Sequence, residues 1–84
     1  MITTTSEVYK FVEIAIGRCR EHGWDDLAQQ LDSAMHLGSS GMEILGAIKA
    51  IFVDQTARLE KVVDKASIEE VIKHANKAFG QSEE

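Results

Sequence analysis

The sequence has 84 residues, 44% hydrophobic and 27% charged, with nine basic against fourteen acidic side chains and a formal net charge of −5. That length holds one domain with a thin core, the composition excludes disorder of the whole chain, and the acidic balance argues against a nucleic-acid backbone, whose affinity comes from neutralised phosphates. One cysteine excludes an intrachain disulfide and a multi-cysteine metal site, and no apolar run approaches the roughly 20 residues that span a bilayer.

Proline is absent, which removes the commonest helix breaker and leans the chain toward helix. The first apolar set, Val8, Phe11, Val12, Ala15 and Cys19, follows the helical period and predicts a helix over 5–22. Thr4 with Glu7 three residues on is a capping-box signature, and Gly23 can stop the helix in the left-handed conformation. Ile14 and Ile16 widen the apolar face, so contact from more than one side is expected.

Trp24, Leu27, Ala28, Leu31, Ala34 and Met35 predict a second helix over 25–37, with Asp25 and Asp26 in the first turn, where negative charge suits the dipole. Gly38 closes it, and Gly38-Ser39-Ser40-Gly41 reads as a helix–helix connector. Ser40 and Glu43 form a second capping box. The stripe that follows, Ile44, Leu45, Ile48, Ile51, Phe52, Leu59, Val62, Val63 and Ala66, predicts a long third helix over 41–65, weak in the middle at Gln55 and Thr56. The pattern restarts out of phase at Ile68, Val71, Ile72, Ala75 and Phe79. With Ser67 and Glu70 as a third capping box, this predicts a break at Ala66-Ser67 and a short fourth helix over 68–79. Gly80 ends it, and the polar tail 81–84 is expected to fray. The expected fold is all-α, a small antiparallel bundle of four helices. Its core list is Val8, Phe11, Val12, Ala15, Cys19, Leu27, Leu31, Ile44, Leu45, Ile48, Phe52, Leu59, Val62 and Val71.

The sequence offers little chemistry. His22, His36 and His74 have no metal-ligand spacing between them; His22 and His36 fall in last helical turns, where an imidazole can meet free carbonyls. Cys19 lies on the apolar stripe of the first helix and reads as a small hydrophobe rather than a nucleophile, for which no base can be assigned. The Gly38–Gly41 connector lacks the lysine and preceding strand of a phosphate loop. Trp24 reads as a packing anchor across the first two helices, with an exposed binding hot spot as the functional alternative. A helix-turn-helix is rejected because the connector is too long and the third helix starts without Arg or Lys. The expectation is therefore no catalytic residue, no cofactor and no metal. Asp25, Asp26, Asp32 and Glu43 are the candidate partner-binding residues. They form either a solvated face or one complementary to a basic partner.

Gly23-Trp24-Asp25-Asp26-Leu27-Ala28, Leu31, and Gly38-Ser39-Ser40-Gly41-Met42-Glu43-Ile44-Leu45-Gly46 together resemble a loose set of small bacterial helical proteins, some of them immunity proteins of polymorphic toxin systems. The resemblance runs from Phe11 to Phe52. It implies a non-enzymatic, partner-binding role, the partner then being a toxin, and supplies no binding residues one by one.

Two functions follow as expectations. One is an acidic protein-binding module; the alternative is a structural or regulatory homo-oligomer with no other ligand. A homodimer is expected because a third helix of about 39 Å exceeds the ~30 Å diameter of a compact monomer this size, leaving its far apolar half to be covered by a second copy. Residues 1–6 show no basic or apolar leader region, which makes the cytoplasm the expected location, with neither membrane nor nucleic acid as partner.

Overall fold

Thr4 starts the first helix as its sequence announces. Its hydroxyl accepts the Glu7 N–H at 3.2 Å, and the Glu7 carboxylate accepts the Thr4 N–H at 3.2 Å, closing both halves of the capping box. The computed structural model describes residues 2, 4–37 and 41–78. Helix α1 spans Thr5–Glu21, α2 Asp25–Met35, α3 Gly41–Asp54, α4 Thr56–Leu59 and α5 Lys65–Ala78. The protein is all-α, with no strand among the described residues. The Gly38 stop, Ser40 as a cap, Phe79, Gly80 and the tail 81–84 lie outside those residues.

Gly23 ends α1 at φ +78°. Its N–H bonds the Arg20 carbonyl at 3.0 Å, and the Trp24 N–H bonds the Cys19 carbonyl at 2.9 Å. This pair of bonds is a Schellman stop, satisfying carbonyls that the helix end would otherwise leave free. It turns the chain at once into α2.

Among the described residues the four-helix expectation is corrected to five, because the long third helix breaks at Gln55. Gln55 leaves helical geometry at φ −110° and ψ 24°. The Thr56 hydroxyl donates to the Phe52 carbonyl and, at 3.2 Å, to the Val53 carbonyl, capping α3 with a side chain. One turn, α4, follows. The second break also moves. A turn over 60–64, held by Val62 and Val63 N–H bonds to the Leu59 carbonyl, precedes α5, so Ala66-Ser67 is helix rather than break. The third capping box does not form: Ser67 donates to the Asp64 carboxylate at 3.4 Å, and Glu70 accepts the Ile2 N–H at 2.8 Å. Asp64, an acceptor directly before the helix, took the place the sequence reading gave to Ser67.

The core joins all five helices. Of the expected core, Val8, Val12, Ala15, Cys19, Leu27, Leu31, Leu45, Ile48, Phe52, Leu59, Val62 and Val71 are buried. Phe11 and Ile44 are only half-buried. The Phe11 ring meets the Phe52 ring edge-on at 6.1 Å and so packs against the core from its margin. Ile16, Ala28, Ala34, Val63, Ile68 and Ala75 complete the core. Ile14 is half exposed, so the extra contact face expected of α1 comes from Ile16 alone. Helix α1 packs on α2, α2 on α3, and α3 on α5, while Thr5 and His74 tie the start of α1 to α5 at 3.1 Å.

Helix α3, with fourteen residues, is about 21 Å long, and the radius of gyration is 11.9 Å, close to the ~12 Å of a compact chain this size. The helix-length argument for a dimer therefore falls away.

Candidate functional site

Helix α2 carries three carboxylates and no Lys or Arg. Its buried stripe is Leu27, Ala28, Leu31 and Ala34. At 100° per residue, Asp25 and Asp32 stand together on one flank of that stripe, beside Ala28 and away from Gln30 and Ser33. Asp26 is set apart from them. Arg58, from α4, donates Nη1 to its Oδ1 at 3.3 Å and Nη2 to its Oδ2 at 3.2 Å. That hydrogen bond, followed by one from the Leu27 N–H, holds the Asp26 carboxyl below its ordinary value. Asp32 lies 3.7 Å from the His36 ring, whose Nδ1–H donates to the Asp32 carbonyl at 2.8 Å. The imidazole thus caps the end of α2 as its position in the last turn predicted. Glu43 lies in the first turn of α3. Of the four acidic candidates, Asp25 and Asp32 therefore share a stripe, Glu43 stands apart from them beside Leu37 and Met42, and Asp26 is engaged in a structural pair.

Arg58 was missed by the sequence reading. Its guanidinium also lies 5.6 Å from the centre of the Trp24 ring, and the His22 ring closes on that indole at 4.8 Å. Trp24 is half-buried and packs against the core, as the packing reading expects, with a cation over one face. Burial pushes the Cys19 thiol up from its ordinary value, which removes thiolate character. Among the described residues no group of three or more His, Cys, Asp or Glu side chains converges on a point where a metal could sit. None of the helices described is long and apolar enough to cross a membrane.

Outside the core, an open apolar groove lies between α2 and α3. One part, of about 540 Å³, is lined by Leu37, Met42, Glu43, Gly46 and Ala47. The other, of about 470 Å³, lies between Gln29, Gln30, Ser33 and Leu37 on one side and Ala47, Ala50 and Ile51 on the other. The two meet at Leu37 and Ala47. Leu37 is 53% exposed and Met42 41%, large apolar side chains left in water. Both were read in the sequence only as helix-boundary residues. The signal that could have found the groove was present: α3 has three charged residues in fourteen, Glu43, Lys49 and Asp54, and a helix apolar nearly all round has more than one face to bury.

Compared with known protein families, with curated proteins and with solved structures, the chain matches none.

Proposed function

We propose that this protein is a non-enzymatic binding module, an antiparallel helical bundle that occupies a protein partner through its α2–α3 side. One observation carries the reading. Exposed Leu37 and Met42 border an open apolar groove, and the two helices that build it bear five carboxylates against one lysine. An apolar centre with a charged surround is the anatomy of a protein interface, and charge of one sign steers and selects a partner of the other. An immunity protein that neutralises a basic toxin in the cytoplasm is the form of this function that the sequence resemblance suggests. A homo-oligomer is the weaker reading, since pairing two copies through this side would set like charges against each other.

The test compares the tagged full chain with an E43K/D54K variant, both expressed in the native host and crosslinked before purification. The reading predicts one protein recovered stoichiometrically with the wild type, depleted with the variant, and rebinding when both are purified. Recovery of the chain alone, or equal recovery with both forms, overturns it.

A further inference from the structure

Helix α3 presents Glu43, Ala47, Ala50 and Asp54 at spacings of four, three and four, so that all four share one stripe along the α2–α3 groove. The stripe is small in the middle and acidic at both ends. Across from it stand Gln30, Ser33 and Leu37 of α2.

We propose that this groove receives a single amphipathic helix from the partner protein, about three turns long, with basic side chains flanking its apolar stripe. The proposal rests on the protein-binding reading above and adds the form of the ligand.

The groove selects a helix over other occupants. Both walls are helices, which have no open strand edge on which an extended peptide could add a strand, and among the described residues no aromatic side chain lines it, as grooves for polyproline segments require. An amphipathic helix inserts side chains rather than backbone groups, and Gly46, Ala47 and Ala50 let it come close. The stripe from Glu43 to Asp54 runs eleven positions, about 16 Å at 1.5 Å per residue, which sets the three turns.

Charge selects the flanks. Asp25, Asp26, Asp32, Glu43 and Asp54 against Lys49 give the segment from Trp24 to Ala57 a net charge of −4, nearly all of the −5 of the chain. Of these, Asp26 is matched by Arg58, and Asp25 and Asp32 lie on the flank of α2 turned from the groove; Glu43, in its lining, and Asp54, on the same stripe of α3, are the carboxylates at its ends. A second copy would bring the same sign and is disfavoured as occupant. A basic helix is complementary at both ends.

The probe is a synthetic helical peptide of eighteen residues with leucines at positions i, i+3, i+4 and i+7 and lysines flanking them. A second peptide keeps the leucines and replaces every lysine by glutamine. Each is titrated into the 15N-labelled full chain. The lysine peptide is expected to shift the amides of 29–37 and 42–51. It should bind at least about tenfold more tightly than the glutamine peptide, and weaken severalfold as screening rises between 50 and 300 mM salt. Ala50 is exposed, so A50F fills the groove without entering the core, and should cost about tenfold in peptide affinity while the helical circular dichroism is unchanged.

Three results overturn the proposal: shifts centred elsewhere, equal binding of both peptides, or full binding by A50F. Concentration-dependent shifts at these residues without peptide, together with a dimer mass in sedimentation, assign the groove to a second copy and overturn it too. A partner recovered in the copurification above whose binding survives A50F sinks the helix-in-groove inference alone and leaves the binding-module reading standing. Recovery of no partner sinks that reading instead.

Discussion

Arg58 and Asp26, thirty-two positions apart, are joined by two parallel hydrogen bonds of 3.2 and 3.3 Å, and the same guanidinium lies over Trp24. The one-turn helix α4 carries Arg58 to this clasp. The break at Gln55 turns the chain so that Arg58 faces the start of α2, and Gln55 itself accepts the Arg58 Nε–H at 3.0 Å. A straight helix through 41–65 would carry Arg58 away from α2.

The clasp has a pH signature. Asp26 has a carboxyl value lowered in the folded protein from its ordinary 3.8. Its contribution to stability is therefore present above the unfolded value and is lost as pH falls through the folded one. D26N should melt below the wild type at pH 7, and the difference should narrow toward about pH 2 as the Asp26 carboxyl takes up its proton. Thermal unfolding followed by circular dichroism at both pH values tests this; a penalty that persists in acid would show that the Asp26 charge is irrelevant. In R58A the indole loses its cation, a cost of about 0.5–1 kcal/mol, with a change in tryptophan emission as the second readout.

Gly23 should resist substitution for backbone reasons alone. A Cβ there meets no atom within 4 Å, so G23A creates no clash, yet φ +78° lies in the left-handed region. The expected loss is about 1–2 kcal/mol, read as a lower midpoint in urea with an unchanged slope. A midpoint equal to wild type would mean that the stop between α1 and α2 can relax freely.

Phe52 and Leu31 are fully buried, on α3 and α2 respectively, and truncation leaves cavities. F52A should lose about 3–5 kcal/mol and L31A about 2–5 kcal/mol, much of the stability of a chain this size. Unchanged melting of either variant would place that side chain outside the core.

These two residues also show how far the sequence could be read. Periodicity located the inward faces of α1, α2 and α3 because each repeats apolar residues at three and four, a pattern only burial requires. Local chemistry located Thr4 and Gly23, whose bonds run to near neighbours. What stayed hidden depended on distant residues. Gln55 and Thr56 marked a weakness in the stripe, but the turn they make, which sets Arg58 against Asp26, was not in the pattern. Ser67 and Glu70 matched a capping box and lost that role to Asp64 and to the Ile2 N–H. The acidic candidates were legible as charge on α2, whereas Leu37, Met42 and the groove were not, because exposure is a property of what α3 lacks as a neighbour.

Asp54 separates stability from binding. It is an exposed carboxylate in the last residue of α3, where the helix dipole is negative and a like charge is unfavourable. Its Oδ2 accepts the Gln55 Nε2–H at 2.8 Å, a bond that asparagine can keep through its own carbonyl oxygen. D54N removes the charge with little change in shape, so it should raise stability by about 0.3–1 kcal/mol. If the groove takes a basic helix, the same substitution should weaken the lysine-flanked peptide by about two- to fivefold, the worth of one exposed ion pair, and leave the glutamine-flanked peptide unaffected. Denaturant midpoints and paired titrations measure both effects. A gain in stability without loss of peptide affinity would confine Asp54 to an electrostatic misfit of the fold and remove it from the binding face, while loss of affinity for both peptides alike would show that it acts on the shape of the groove and not through its charge.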